Sequence, residues 1–445
     1  MTTHTTFSRR SFLKFAGGLA ALAASRFSAA SQGDYKALVC LWLAGGNDGN
    51  NLIVPLDPPW DAQYAAIRGS LALSGNKLLQ PICDSLGQRH FGLHYGLPKL
   101  KARYGNGVAF VLNTGLLNHP LTRAQFLAGD APANLFSHSD QTVMIQSGKL
   151  TQDGTGWGGR LLDVFGASSD PFAAISSAGP ATLLQGYQVA GNVIPPGAIP
   201  GSGVALEVLN QWDKNLAQAR ATAVNEMLAQ SGGNLIRQAA NQTLLDGLQL
   251  VSRMQAANLP AAGSLGFPST YLGQQLEQVA RIIAYRSRQG PGRQVFIVTH
   301  GGFDTHAGQD WGHWNLLSQL DDALDVFQNV MASPAFGLAQ QVTTFTQSEF
   351  GRSLQSNGGG SDHGWGNHHV VVGGAVQNGI YGEMPQFTLG GPNDSGNRGV
   401  WIPTIAEAQY AATLGKWFGA TPPELAYVFP DLVHFAGQED LGFMV

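Results

Sequence analysis

The chain has 445 residues, of which 25 are Lys or Arg and 29 are Asp or Glu, so its formal net charge is −4. Charged residues make up only 12% of the chain and hydrophobic residues 44%, whereas soluble proteins carry roughly 25% charged residues. These values exclude a disordered chain and a basic nucleic-acid-binding surface, and the length allows one large core or two.

Residues 1–30 are expected to form an export signal rather than part of the fold. Residues 8–14, SRRSFLK, resemble the twin-arginine signal S-R-R-x-F-L-K, and an apolar run follows from Phe12 to Ala24. That run is shorter than the roughly 20 apolar residues of a membrane span, which disfavours an uncleaved anchor, and Ala30 suits signal peptidase cleavage. We expect a periplasmic or extracellular protein, exported in its folded state by the twin-arginine translocase.

Five short apolar runs predict buried strands, with helical segments between them. The runs are Tyr35–Leu43, Val108–Asn113, Gln294–Thr299, Val342–Thr346 and Val370–Val372. Helical spacing is shown by Leu272, Leu276, Val279 and Ile283, and again within Trp314–Val330 by Leu317, Leu320, Leu324 and Phe327. Continuous apolar strands that alternate with helices predict an α/β fold with a mainly parallel sheet flanked by helices.

The middle of the chain has a different composition. Asp170–Gly203 is rich in Gly, Pro and Ser and contains short β-like pieces, and Val204–Gln255 predicts almost continuous helix. We interpret residues from about 170 to 258 as an insertion or cap on one α/β core formed by residues 31–445. A second, independent domain is the alternative that the sequence leaves open.

Two cysteines, Cys40 and Cys83, remain after the signal. One disulfide is possible in an oxidising compartment, but Cys40 lies in a predicted buried strand, which favours two inert thiols. The sequence has neither a thiolate cluster nor a G-x-G-x-x-G motif after a strand, so a redox protein is disfavoured despite the export signal.

Polar residues follow the predicted strands, at the edge where open α/β sheets bind ligands. Asp48 follows the first strand, Asp304 and His306 follow the Gln294 strand, and Glu349 and Arg352 follow the Val342 strand. A further polar segment precedes the Val370 strand and contains Asp362, His363, His368 and His369. Half of the 12 histidines lie between residues 300 and 369, which concentrates imidazole and carboxylate groups at one edge.

Imidazole and carboxylate ligands suit Zn, Mn or Fe, with Ca as a further possibility, and the set is large enough for two ions. Each residue also has a simpler interpretation. Asp48 could be a turn residue, Asp304 could cap a helix, and His368 and His369 would face opposite sides of a strand, so that at most one ligates. A Gly-rich, polar, carbohydrate-binding surface without metal is the alternative for the whole set.

With these residues in hand, the sequence resembles the bacterial family called domain of unknown function 1501 and, through it, the alkaline phosphatase/sulfatase superfamily. The matching stretches are WLAGGNDGNNLIVP (42–55), LFSHSDQTVMIQSG (135–148), GWGGRLL (156–162), GFDTHAGQ (302–309), SEFGRS (348–353) and SDHG (361–364). The resemblance implies an alkaline-phosphatase-like fold with two metal ions at the strand ends.

Carried over residue by residue, the resemblance implies that Asp48, Asp362 and His363 hold one ion. It implies that Asp304, His306 and either His368 or His369 hold the other. The chain departs from the superfamily pattern at one point, because a single residue separates Asp304 from His306 where three are usual.

The nucleophile is the second departure, since neither cysteine lies in the C/S-x-P-x-R motif of formylglycine sulfatases. Ser137, at a predicted helix start, and Thr114, after a strand, are candidates, although each could be only a cap or a turn residue. The third alternative is direct attack by a metal-activated water. Arg352 could bind a phosphate or sulfate oxygen as a fork, or pair with Glu349, which we also place in the catalytic set.

The sequence therefore predicts an exported, metal-dependent hydrolase or transferase of phosphate or sulfate esters, acting on a small-molecule or polysaccharide substrate. Fold alone does not fix an activity. The alternative is a non-catalytic protein of the cell envelope, or one associated with polysaccharide, on a degenerate phosphatase-like scaffold.

Overall fold

The computed structural model describes residues 35–84, 87–196 and 259–445, together with a few single helical positions between residues 219 and 253. The predicted export signal and most of the helix predicted over Val204–Gln255 lie outside the described residues. Within the described ranges, no helix combines the length and apolar character that crossing a membrane requires.

The described part of the chain alternates strands and helices, as the sequence predicted. In chain order the elements are β1 Tyr35–Ala44, α1 Gly49–Leu52, β2 Ile53–Pro55, α2 Trp60–Arg68, β3 Ile82–Cys83, β4 His90–Leu93, α3 Pro98–Arg103, β5 Val108–Gly115, α4 Arg123–Leu127, α5 His138–Ser147, α6 Trp157–Val164, β6 Ala174–Ser176, β7 Asn192–Val193, α7 Tyr271–Arg286, β8 Gly292–Gly301, α8 Gln309–Ala332, β9 Val342–Gln347, β10 Arg352–Ser356, β11 Ser361–His363, β12 Asn367–Val372, β13 Gly379–Tyr381, β14 Ile405–Ala406, α9 Glu407–Phe418 and α10 Pro422–Val428.

A mixed, mainly parallel sheet forms the centre, with the strand order β13-β5-β12-β9-β1-β8-β6-β7 and with β14 paired to β5. The central strand β1 runs parallel to β8 and to β9, whereas β12 is antiparallel to both of its neighbours, β9 and β5. All five predicted strands are confirmed, each slightly longer than predicted, as is the α/β fold class.

Both faces of the sheet are covered, which explains why its strands are continuously apolar. Val39 and Leu41 of β1 belong to one core cluster, and Leu38 and Cys40 belong to another, because successive side chains of a strand point to opposite faces. Helices α7 and α8 confirm the two predicted amphipathic segments, and they pack against each other.

The start of the predicted insertion needs a correction. Strand β6 pairs in parallel with β8, and β7 pairs with β6, so residues 174–193 supply the edge of the main sheet rather than an insertion. The short apolar run around Ile175 is buried against β8, which the high Gly, Pro and Ser content of the segment obscured. Both cysteines are free, with Cys40 buried and Cys83 partly exposed.

The sheet brings the polar segments to one edge. Strands β1, β8 and β9 are parallel, so the loops after them meet. Because β12 runs the other way, its first residue, Asn367, lies opposite Thr114 at the end of β5. The loops after β1 and β8 approach so closely that a Cβ atom on Gly45, which has a φ of 119°, would lie 2.3 Å from the Asp304 nitrogen. Only glycine fits there.

Candidate metal centre

Three histidines and one aspartate converge at this edge of the sheet, and we call them the His/Asp cluster. Asp304 and His306 lie in the loop after β8, His363 ends β11, and His138 is the first residue of α5. Asp304 and His306 are about half exposed, with side-chain exposures of 46% and 45%, whereas that of His363 is 26%. The cluster is therefore open to solvent on one side.

The imidazole Nε2 atoms face one another. His363 Nε2 lies 3.1 Å from His138 Nε2 and 3.1 Å from His306 Nε2. Asp304 Oδ1 lies 3.0 Å from His306 Nε2 and 3.3 Å from His363 Nε2, and Asp304 Oδ2 lies 3.6 Å from His138 Nε2. All four side chains therefore direct a nitrogen or an oxygen to one region.

The hydrogen bonds behind each ring show which nitrogen carries the proton. His363 Nδ1 donates to the Phe136 carbonyl at 2.9 Å, and His138 Nδ1 donates to Glu349 Oε1 at 2.8 Å. His306 Nδ1 contacts Asp362 Oδ1 at 3.3 Å. These oxygens can only accept when the carboxylates are ionised, so in the neutral rings the three Nε2 atoms carry lone pairs.

Nε2 lone pairs 3.1 Å apart cannot hydrogen-bond to each other. A cation between them would turn this repulsion into attraction. Histidine that donates Nδ1–H to a carboxylate or carbonyl and offers Nε2 to a metal is the usual arrangement in protein metal sites. The chemistry of the donors therefore fits a divalent ion of the Zn, Mn or Fe type.

His138, Asp304 and His363 are the best-placed ligands, since one atom from each lies within 4.8 Å of the others. Burial lowers the pKa of His363, assisted by the charge of Arg352. Burial alone would raise the pKa of Asp304, but its hydrogen bond to Arg352 and that charge hold it below its usual value. Both shifts favour the protonation states that bind metal.

Sequence reasoning missed His138. It lies in the stretch LFSHSDQ that carries part of the resemblance, in which only the neighbouring Ser137 was predicted to have a chemical role. The available signal was a histidine at a predicted helix start, within a stretch that carries the family resemblance.

Glu349 lies directly behind His138 and is nearly buried, with 4% of its side chain exposed. Its Oε1 accepts from His138 Nδ1 and from the Gly45 backbone at 2.8 Å. In this structure Glu349 orients a candidate ligand, and its predicted catalytic role stays a prediction.

Arg352 needs a correction, because its guanidinium is buried and most of its N–H groups are bonded within the protein. Its side chain is fully buried, and it donates to the carbonyls of Gly45, Gly46, Phe303 and Ser361 and to Asp304 Oδ1. Its ion pair is with Asp304 rather than with Glu349. Four of its five N–H groups bond protein oxygens, and the remaining Nη1 contact is with His306 Nε2 at 3.5 Å, so the guanidinium mainly holds the loops together.

Asp362 also differs from the expectation. Its Oδ1 accepts from Asn357 Nδ2 at 3.0 Å and contacts His306, and its Oδ2 pairs with Arg398. These bonds lower the pKa of Asp362 despite its partial burial, which acts in the opposite direction. Asp362 supports His306 from behind instead of sharing an ion with His363, since neighbouring residues of a strand face opposite sides.

Asp48 lies beneath the cluster in a separate, fully buried group, which we call the Asp48 group: Asp48, Arg68, Gln309, Asn47 and His313. Asp48 Oδ2 is bonded to Arg68 and, at 2.5 Å, to Gln309 Nε2. His313 Nε2 lies 3.0 Å from Asn47 Oδ1. Burial raises the pKa of Asp48, although Arg68 and Arg352 oppose it. The predicted ion shared by Asp48, Asp362 and His363 is not assembled, because Asp48 is buried apart from the other two and its Oδ2 is paired with Arg68, although its Oδ1 bonds no described residue.

His368 and His369 are both buried and bonded elsewhere. His368 Nδ1 accepts from the Asn113 backbone nitrogen at 2.9 Å, and burial lowers its pKa to about 3. His369 Nε2 lies 3.0 Å from Glu407 Oε1, and its ring stacks on Tyr410. The expectation that one of them joins Asp304 and His306 is therefore corrected.

The candidate nucleophiles are placed as follows. Ser137 is the N-cap of α5, and its hydroxyl accepts from the Asp140 nitrogen at 3.4 Å and contacts Ser139 Oγ at 3.3 Å. Thr114 is completely buried, and its hydroxyl bonds no described residue. Ser137 borders the cluster through His138, so its nucleophilic role stays a prediction.

Comparison with solved structures gives matches of low identity and low TM-score. A 2-O GAG sulfatase shares 8% identity at a TM-score of 0.37, with 89% of this chain and 73% of that chain covered. A sulfatase from Pseudoalteromonas sp. shares 9% identity at a TM-score of 0.33, with 94% of this chain and 73% of that chain covered. Alkaline phosphatase from the Antarctic bacterium TAB5 shares 10% identity at a TM-score of 0.28, with 89% of this chain and 99% of that chain covered. These TM-scores are too low to assign a site or an activity to this chain.

Comparison with curated protein sequences gave no match. A family model does match residues 116–394, more than half of the chain, and its family is described as a protein of unknown function, DUF1501. The match contains His138, Asp304, His306 and His363, so the whole His/Asp cluster falls within it. The chain belongs to the DUF1501 family.

Proposed function

We propose that this protein is a metal-dependent hydrolase or transferase of phosphate or sulfate esters, with the metal at the His/Asp cluster. The observation that carries the proposal is the set of three Nε2 lone pairs and one carboxylate directed at a single region. Among the described residues, one such set of ligand atoms is found. It comes from His138, Asp304 and His363, and His306 lies beside them.

A divalent metal at this position would act as a Lewis acid toward an ester oxygen and would offset negative charge on the phosphoryl or sulfuryl group. The chain's own residues prepare that position. Glu349, the Phe136 carbonyl and Asp362 fix the proton on Nδ1 of the three rings, and Arg352 holds Asp304 in its ionised form. The exposed side of the cluster leaves room for a small-molecule or polysaccharide ester.

A second candidate is a non-catalytic protein of the cell envelope that uses the same scaffold. Two observations favour it. Four of the five N–H groups of Arg352 bond protein oxygens, and Arg68 pairs with Oδ2 of the buried Asp48. Under this alternative the cluster still binds metal, but no ester is hydrolysed. The twin-arginine export that we expect for residues 1–30 is compatible with both candidates.

The first experiment is metal analysis by mass spectrometry of the full-length protein after export and folding. We expect about one Zn, Mn or Fe ion per chain in the wild type and its loss in Asp304→Asn. Asp310→Asn is a matched control, because Asp310 is equally exposed, at 48%, and pairs with Lys77 rather than with the cluster.

A wild-type protein that stays metal-free after reconstitution with each ion would overturn the proposal. When metal is bound, hydrolysis of a panel of phosphate and sulfate monoesters separates the two candidates. Turnover that disappears in Asp304→Asn and persists in Asp310→Asn supports the enzyme. Full metal content without turnover on any ester supports the non-catalytic protein.

A further inference from the structure

An anionic substrate at the His/Asp cluster needs a cationic partner, and among the described residues Arg398 is placed to supply it. Its Nη1 pairs with Asp362, whose other oxygen contacts His306. The side chain is 41% exposed, in contrast to the fully buried Arg352 and Arg68. Arg398 is therefore a partly exposed cation that one carboxylate, Asp362, links to the candidate ligand His306.

The guanidinium of Arg398 is held in place and yet has unused donors. Nε donates to Gln355 Oε1 at 3.3 Å and Nη1 bonds Asp362, whereas Nη2 bonds no described residue. Two bonds fix the plane of the group, and the two N–H of Nη2 remain for a ligand. Planar donors of this kind recognise phosphate and sulfate oxygens well.

The loop that carries Arg398 is built around a buried carboxylate. Asp394 is fully buried and accepts from the backbone nitrogens of Gly390, Gly396, Gly399 and Val400. The Arg398 carbonyl accepts from the Gln355 nitrogen at 3.0 Å, which attaches the loop to β10. This internal bonding fixes the backbone of Arg398, so little conformational entropy is lost when a ligand is bound.

We propose that Arg398 is the residue that recognises the anionic group of the substrate, a terminal phosphate or sulfate ester, next to the His/Asp cluster. The inference rests on the proposed function and replaces Arg352, to which the sequence assigned this role. Asp362 opposes the anion through its negative charge, but its Oδ2 is paired with Nη1 of Arg398, which leaves Nη2 as the donor that meets the ligand.

The test is calorimetric titration of the metal-loaded, full-length protein with inorganic phosphate and, separately, with inorganic sulfate. We expect Arg398→Ala to weaken the binding of at least one of them by about tenfold or more, because a charge-assisted hydrogen bond is lost. Arg398→Lys should restore part of the affinity, since it retains the charge but not the planar fork. Arg103→Ala, which removes a guanidinium paired with Asp325 elsewhere on the molecule, should bind as the wild type does.

Metal content is measured on the same samples, and this separates the two proposals. Wild-type affinity for both anions in Arg398→Ala, with metal retained, overturns the role of Arg398 and leaves the metal site intact. Loss of metal in Arg398→Ala also counts against it, because Arg398 would then act through Asp362 as a positioning residue. If neither the wild type nor any variant binds metal, the proposed function fails. Anion binding by the metal-free protein that still depends on Arg398 would nevertheless support this inference.

Discussion

The His/Asp cluster and the Asp48 group lie at the same edge of the sheet, and they use the same kinds of side chain in opposite ways. In the cluster, Asp304 is half exposed and several nitrogens share its carboxylate. In the Asp48 group, the carboxylate and its guanidinium partner, Arg68, are both fully buried. The first is an open set of converging lone pairs, and the second is a closed ion pair.

The comparison teaches that exposure as well as pairing decides which carboxylate after a strand is a candidate ligand: Asp304 and Asp48 both pair with a buried arginine, but only Asp304 reaches solvent. Arg68 and Gln309 compensate Asp48 Oδ2 inside the protein. His313, fully buried beside the charges of Arg68 and Arg352, has its pKa lowered to about 3. These residues stabilise the loop from beneath, while the cluster above them faces solvent.

The largest effect is expected where the closed pair is broken. Asp48→Asn leaves the charge of Arg68 buried without a counterion, so the free energy of unfolding should fall by about 3–5 kcal/mol. Metal content should be unchanged. In Asp304→Asn we expect metal to be lost and the free energy of unfolding to fall by less than in Asp48→Asn. The loss of stability is smaller because Asp304 is half exposed and Arg352 keeps its backbone acceptors. Urea unfolding and metal analysis of both variants check this, and equal stability losses would contradict it.

A third carboxylate, Asp321 in α8, sharpens the comparison because its bonded partners are backbone nitrogens, of Lys99 and Leu100. Burial raises its pKa to about 6, above the usual 3.9 or so. The folded state therefore binds a proton more tightly than the unfolded state does. Stability from this group is lost as pH rises from about 4 to about 6, by roughly 3 kcal/mol.

Asp321→Asn should remove this part of the pH dependence. The measurement is urea unfolding of the metal-free protein at several pH values between 4 and 7. Asp322→Asn, which changes the exposed neighbour, is the control that should keep the wild-type slope. A slope that is the same in wild type and Asp321→Asn would show that Asp321 is not the group responsible.

A smaller effect is expected behind the open cluster, at Glu349. Glu349→Ala removes the acceptor of His138 Nδ1–H, which fixes the ring, so metal affinity should fall by about 10–100-fold. Glu349→Gln keeps an oxygen at this position and should recover part of the loss. Competition with a chromophoric chelator gives the affinities. Unchanged affinity in Glu349→Ala would remove His138 from the ligand set.

The smallest effect is expected at Ser137, next to the cluster. Because its hydroxyl caps α5, Ser137→Ala should lower the free energy of unfolding by about 1 kcal/mol and leave metal content unchanged. Ser139→Ala is the matched control for stability. Ester turnover decides the chemical role: turnover retained in Ser137→Ala excludes Ser137 as the nucleophile, and turnover lost at full metal content supports it.

Much of the fold could be predicted because its signals are local. A buried parallel strand is apolar on both faces, so β1, β5, β8 and β9 stand out from their neighbours. The pattern of helix α7 follows from the 3.6-residue period, which places Leu272, Leu276 and Ile283 on one buried face. The short edge strands β6 and β7 were predicted only as β-like pieces of an insertion, because three or fewer residues carry too little periodicity to show that they join the main sheet.

The candidate site was predicted only in part, for a related reason. Asp304, His306 and His363 were identified, since they follow strand ends or lie in a Gly-rich loop. His138 was missed, because it comes from a helix more than 150 residues earlier in the chain. Asp48, Arg352, His368 and His369 were assigned chemistry that internal partners had already taken.

The sequence by itself determined the α/β class, the strand ends where chemistry could lie and the residue types available there, because these depend on short-range pattern and on the identity of side chains. Only the tertiary structure decided which side chains meet and which are neutralised. Those outcomes depend on contacts across the chain, such as Arg68 with Asp48 and Arg398 with Asp362, and on burial, which makes an internal ion pair costly to break and an exposed lone pair free to bind.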